Sequence, residues 1–348
     1  AAPDGVTIMV EAGRYNEHLD IGNRTVRIVG TGSTNTDTVI HYRDIGGEGI
    51  LIHGPGRVEF ENMGLNGGDF WPVLGYYNSS ARSLEAYNNV DLVLNNIDFT
   101  RIVVAKVQQE GGTFTANDIT MDTDGSLSPR DYGFYLTAVT NAVINRLVQT
   151  KGEIDHTIQL YGCANVQIND CIIRSKKDGM RIYSSEVTIS NCFFYGVNEG
   201  SPEYGLRLVA SGTNHIIIQN TSFSNLNQAV YFLNIDGEND VRMENNHIEN
   251  SRDIGIYIQD IADDCIDLGG GYMGSKGGNI FSNTNSLIPD LLLANSTIND
   301  IFALDNTWSS TNIESVIYDR NDDPAPPRVI YKRPEAETVS LSPASKHV

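Results

Sequence analysis

The sequence predicts an all-β chain wound into a right-handed parallel β-helix, and three observations carry that prediction. One phrase recurs, as NVQINDCIIRS (165–175), EVTISNCFFYG (186–196), HIIIQNTSFSN (215–225) and DVRMENNHIEN (240–250). A second phrase follows each of these, a small residue and then a short alternating run: GMRI (179–182), GLRL (205–208), AVYF (229–232) and GIYI (255–258). The circuit repeats every 21 to 29 residues with strand and turn residues alone. One such circuit cannot bury its own apolar face. Stacked circuits can, because each strand pairs in parallel with its counterpart about 4.8 Å away. Roughly nine to eleven coils are expected.

Alternation assigns the two sides of the first strand in each coil. Val166 and Ile168, Val187 and Ile189, Ile216 and Ile218, and Val241 and Met243 face one way, into a closed coil. Gln167, Thr188, Arg242 and, as an exception in kind, Ile217 face solvent. The bend that follows keeps its chemistry. Asn62, Asn96, Asp170, Asn191, Asn220 and Asn245 share one register. Asn and Asp tolerate left-handed backbone and bond their own main chain, which suits a sharp corner. The next register holds Met63, Ile97, Asn117, Leu147, Cys171, Cys192, Thr221 and Asn246, and reads as an inward stack. An interior Asn there must bond to neighbouring coils, since a buried unpaired amide is costly.

Bulk properties exclude several classes. A formal net charge of −20 argues against nucleic acid and against anionic membrane surfaces. It suits a secreted or cell-surface protein. No apolar run is long enough to span a bilayer. Four Cys in 348 residues do not make a disulfide framework. Cys171 and Cys192 stack one coil apart, where parallel neighbours seldom meet disulfide geometry, so thiols are expected. Cys163 and Cys265 have no evident partner.

The opening VTIMVEAGRYNEHLDIGNRTVRIVG (6–30) holds short strands between Gly and Asn turns. It resembles the first coil of the pectate-lyase-like right-handed β-helix superfamily, in which an apolar strand meets a Gly-x-Tyr-x-Glu turn, here Gly13, Tyr15 and Glu17. The resemblance implies the fold and no catalytic residue. A β-helix normally needs a cap over its open end. Nothing before Val6 supplies one, so the stack is expected to continue into residues upstream of Ala1.

Residues 67–88, GGDFWPVLGYYNSSARSLEAYN, do not fit a coil and read as a loop over one face, with Trp71 as a sugar-stacking ring or as loop packing. MDTDGSLSPRD (121–131) sets Asp122, Asp124 and Asp131 around a Gly turn. That is half of a calcium loop without its closing Glu, and calcium is the one cofactor it suggests. The Gly-rich 262–323 resembles the terminal coils of secreted bacterial β-helix repeat proteins, whose motifs specify fold rather than activity. The β-helix is therefore bounded as 1–323, most regular over 165–260. The Pro-rich 324–348 reads as a tail or linker.

The second phrase offers one outward position per coil: Tyr135, Gln159, Arg181, Arg207, Tyr231 and Tyr257. Just before them come Asp131, Asp155, Lys177, Glu203, Asn227 and Asp253. RSKKDGMR (174–181) adds Arg174 and Lys176, a local reversal of sign in an acidic chain. Aromatics beside paired guanidiniums suit a uronic-acid chain, by stacking and bidentate carboxylate binding. A solvated face whose cations offset neighbouring acids is the plainer reading.

A lyase would use Arg181, Arg207 and Lys177 as base and carboxylate neutraliser. A hydrolase would use two of Asp155, Asp178 and Glu203. His156 and His215 are further acid–base candidates. The ordered polygalacturonase series (Asn-x-Asp, Asp-Asp, Gly-His-Gly, Arg-x-Lys) and the Arg-centred pectate lyase motifs are not found. The expectation is an extracellular protein that binds an acidic polysaccharide along Tyr135–Tyr257, with cleavage left open. Its alternative is a non-catalytic structural or adhesive module that assembles with copies of itself or with further domains.

Overall fold

A computed structural model describes residues 4–42, 49–67, 82–100, 105–122, 132–151, 154–197, 203–209, 212–234, 239–260, 265–285, 287–294, 300–323 and 327–333. Each regular coil lays down three strands. Val166–Asn169 lies on the first face, Ile172–Ser175 on the second and Asp178–Tyr183 on the third. The first two faces make one sheet of twenty strands that bends at a corner, and the third makes a separate sheet of twelve. Pairing is parallel throughout the described strands, as between Val187 and Ile216 and between Ile189 and Ile218. The chain is a right-handed parallel β-helix.

Among the described residues the third face holds twelve strands, consistent with roughly nine to eleven coils plus short strands at the ends. Those ends lack the recurrent phrase, as at Leu19–Ile21 and Ile317–Tyr318. Three boundaries move. Arg82–Tyr87, inside the expected loop, is a third-face strand. Gly13–Asn16 is a strand rather than a turn, because it pairs with Thr38–Tyr42. The segment after Pro324 still contributes Val329–Ile330, which pairs with Ile301–Ala303. That strand is held by the buried Val329 side chain and by the Val329 N–H, which donates to Asp319 Oδ2 at 2.7 Å.

The corner between first and second faces is left-handed at Asn62, Asn96, Asp118, Arg146, Asp170, Asn191, Asn220 and Asn245, with φ of 51–57°. The six predicted corner residues are all there. Asp118 and Arg146 complete the set. Consequently Asn117 belongs two registers earlier than expected, before the corner, paired with Asn95 and Asn145, and Ile119 takes the inward place beside Ile97 and Leu147. Asn117 therefore points outward.

The core is a file of stacked side chains. Phe114 meets Phe134 edge-on at 5.2 Å, Phe194 stacks on Phe223 at 5.1 Å, and Phe281 on Trp308 at 4.7 Å. Beyond Cys192 the inward column turns polar and is internally bonded. Asn246 Oδ1 accepts from the Thr221 N–H at 3.0 Å, and Asn246 Nδ2 donates to Ile218 O and Asn279 Oδ1, both at 2.9 Å. All four cysteines are buried free thiols. The adjacent Cys192 thiol and burial push the Cys171 thiol up. Cys163 heads a second inward column, where its N–H donates to Ser185 Oγ and the Ser185 N–H donates to Asn214 Oδ1, each at 3.0 Å.

Candidate functional site

The outward positions of the third face form the expected ladder. Tyr135 pairs with Gln159, Gln159 with Arg181, Arg181 with Arg207, Arg207 with Tyr231, and Tyr231 with Tyr257. A second row runs beside it at the strand starts: Tyr132, His156, Asp178, Tyr204, Gln228 and Ile254. The residue between the rows is small, and this lets coils approach. A Cβ at Gly205 would collide with the Ala229 carbonyl oxygen and the Phe223 ring.

Aromatic rings and cations interleave across the two rows. Tyr132 stacks on Tyr135 at 5.4 Å and on His156 at 5.2 Å. Tyr204 stacks on Tyr231 at 5.6 Å, and Tyr231 on Tyr257 at 5.1 Å. The Arg207 guanidinium lies 5.4 Å from the Tyr204 ring centre and 5.2 Å from that of Tyr231, and Arg181 lies 5.1 Å from that of Tyr183. Burial pushes the Tyr204, Tyr231 and Tyr257 phenols up, so they remain hydrogen-bond donors at neutral pH. Tyr231 uses its hydroxyl on Gln259 Oε1 at 2.9 Å.

The described acids do not neutralise the arginine pair from both sides. Asp178 Oδ2 stands 3.8 Å from Arg181 Nε and 3.0 Å from His156 Nδ1. Arg207 has no ion pair among the described residues, and its buried Nε has no hydrogen-bond partner. Gln159 Oε1 and Arg181 Nε are likewise buried without one.

The other candidates disperse. Asp155 Oδ2 sits 3.5 Å from Lys177 Nζ at the edge of the face. Glu203, expected near the arginine pair, is buried and bound to Arg252, because its strand start turns it under the second face at Gly196. It is no partner for Asp178 in a two-carboxylate site. His215 is on the first face, 3.0 Å from Asp240, far around the coil from the ladder. Lys176 is half-buried at the turn before the third face. Asp122 lies 3.9 Å from Lys151, and Asp124, Asp131 and Trp71 fall outside the described residues. No cluster of metal-binding side chains occurs among the described residues.

The pairing of His156 with Asp178 was not singled out from the sequence, yet the repeat held it. If Gln159 and Arg181 are neighbours, the residues three places earlier in each coil are neighbours too. Tyr132 and Tyr204 follow by the same count.

Residues 132–285 match the family model of the right handed beta helix region. No curated protein matches the chain. The matched segment contains the whole Tyr135–Tyr257 ladder. Together with the parallel coils it agrees with the resemblance to the pectate-lyase-like superfamily.

Proposed function

On a right-handed parallel β-helix whose third face carries this ladder, we propose that the chain binds an acidic polysaccharide, with a uronate carboxylate at Arg181 and Arg207. The observation that carries this reading is Arg207, which lies beside the stacked Tyr204 and Tyr231 rings with no acid paired to it among the described residues. A guanidinium stacked in this way keeps its planar fork free for a carboxylate. The flanking Tyr135 and Tyr257 offer rings to sugars, with Tyr231, buried between Tyr204 and Tyr257, as their support, and Gln159 and Lys176 offer donors. An extracellular or cell-surface setting, where such polymers are met, fits the charge of −20.

The test is binding of polygalacturonate and of an uncharged polymer by the wild-type protein and by Arg181→Ala/Arg207→Ala. The expected result is uronate binding that the double variant loses while its circular dichroism spectrum stays that of the folded protein; some loss of melting temperature is expected, since buried Asp178 loses the Arg181 guanidinium beside it. Uronate affinity that persists in the double variant overturns the reading. Ultraviolet absorbance of unsaturated chain ends, followed in the same samples, shows whether bound polymer is also cleaved by elimination.

A further inference from the structure

Among the described residues the buried acids are bonded by the fold, with one exception. Asp267 accepts from the N–H groups of Gly269, Gly271 and Ser275 at 2.9–3.0 Å. Asp290 accepts from Asn283 Nδ2 and the Ser309 N–H, both at 2.8 Å. Asp319 accepts from the Asn321 and Val329 N–H groups at 2.9 and 2.7 Å. Glu203 is held by Arg252 and Glu244 by Arg242. Asp178 has a side chain 0% exposed, and neither carboxylate oxygen has a hydrogen-bond partner. His156 Nδ1 is close enough at 3.0 Å but out of line for a bond, and Arg181 Nε is 3.8 Å away.

A carboxylate buried in that condition weakens the fold, and one kept there asks for a reason outside it. Its position supplies one. Asp178 opens the strand that carries Arg181, with Oδ2 3.8 Å from the Arg181 Nε, and Arg181 pairs with Arg207 in the next coil. Two other acids, each one residue before the second row, are engaged elsewhere: Asp155 with Lys177 and Asp253 with Gln228. Two guanidiniums and one carboxylate leave one net positive charge at the centre of the face.

We propose that Asp178 is a specificity-determining residue: a buried counter-charge that tunes the arginine pair to a sparsely acidic glycan, one carboxylate per sugar, and against densely sulfated chains. This rests on the reading of the third face as a uronate site. With both arginines uncompensated, the centre would favour whichever polymer packs most anions near it. With Asp178 in place, a single carboxylate completes neutrality, and further anions meet repulsion from beneath.

The experiment compares polygalacturonate with dextran sulfate as ligands for the wild-type protein and for Asp178→Asn, with melting temperature measured on each. The wild type is expected to prefer polygalacturonate. In Asp178→Asn the affinity ratio should move toward dextran sulfate by roughly tenfold or more, as removal of a unit charge a few ångströms away implies. Melting temperature should stay within a few degrees, because neither carboxylate oxygen holds a hydrogen bond that the amide would lose. A wild-type protein that binds dextran sulfate as tightly as polygalacturonate overturns the proposal. So does an unchanged ratio in Asp178→Asn, or a variant that melts more than a few degrees lower or fails to fold, which would make Asp178 structural. If the wild type binds neither polymer, the uronate reading itself falls, and that result is distinct from the others.

Discussion

Asn145 donates a hydrogen bond from Nδ2 to Oδ1 of Asn117, 2.8 Å away and one coil earlier, on the outside of the β-helix. Asn117 does the same to Asn95 at 2.9 Å, and Asn169 to Asn145 at 3.0 Å. The inward column repeats this chemistry at Asn246, Asn279 and Asn306 under complete burial of Asn246 and Asn279. The two ladders separate the effect of burial from that of bonding. Asn145→Ala is expected to cost about 0.5–1.5 kcal/mol, since water replaces the lost partner. Asn246→Ala strands the Thr221 N–H in the interior and should cost more, about 1–3 kcal/mol for the orphaned group alone. Urea unfolding of both variants checks the order, and an equal cost would refute it.

Asn191 turns its corner at φ 55°. A residue with a Cβ and no compensating local bond is disfavoured in that conformation by about 1–2 kcal/mol. Asn191→Ala should lose that amount, while Asn191→Gly, which enters the left-handed region freely, should stay within a few tenths of wild type once glycine's entropy is offset. Denaturation midpoints of the two variants decide the matter.

Phe194 is 0% exposed and stacks on Phe223 with planes 11° apart. Phe194→Ala leaves a void that stacked rigid coils cannot close, and a loss of about 3–5 kcal/mol is expected. Phe194→Leu should recover most of it. Thermal melts followed by circular dichroism measure both.

Burial pushes the Asp290 carboxyl up, against the hydrogen bonds from Ser309 and Asn283. Its folded-state pKa therefore lies above the unfolded one. The stability this group contributes is fully present below the unfolded pKa and is lost as pH rises through the folded value. The stability of wild type relative to Asp290→Asn should be larger at acid pH than at neutral pH. Urea titrations at several pH values test the slope, and a difference that grows toward neutrality would contradict the sign.

Much of this was legible in the repeat. Alternation gave the inward and outward sides, and the small residue before each third-face strand gave the register that sets Arg181 beside Arg207. The corner was legible where Asn or Asp occupied it and the phrase was regular. It was missed at Asp118, and at Arg146, a residue type that does not advertise left-handed backbone. That omission shifted Asn117 by two places, past the corner, and turned it inward on paper. Side-chain direction at strand ends was the other blind spot. Glu203 stands in the register of Lys177, one residue before its third-face strand, and dips under the second face to Arg252, while Asp178 opens its strand and stays beneath the ladder. Alternation does not govern the residue where a strand starts.

Strands in this molecule run around the coil, so their hydrogen bonds point along its axis. A pull along that axis loads the bonds between any two coils side by side, while successive coil junctions bear the load one after another. Such a column parts at its weakest junction. The candidate is where Ile266–Gly269 meets Ile301–Ala303, a pairing reduced to Asp267 with Phe302 and Gly269 with Ala303 and broken by a register shift between them. Val187 to Ser190, by contrast, each face a partner in the next coil. The regular middle, ladder included, would thus stay intact under tension while the last coils peel away, as a mechanical fuse does for the circuit it protects.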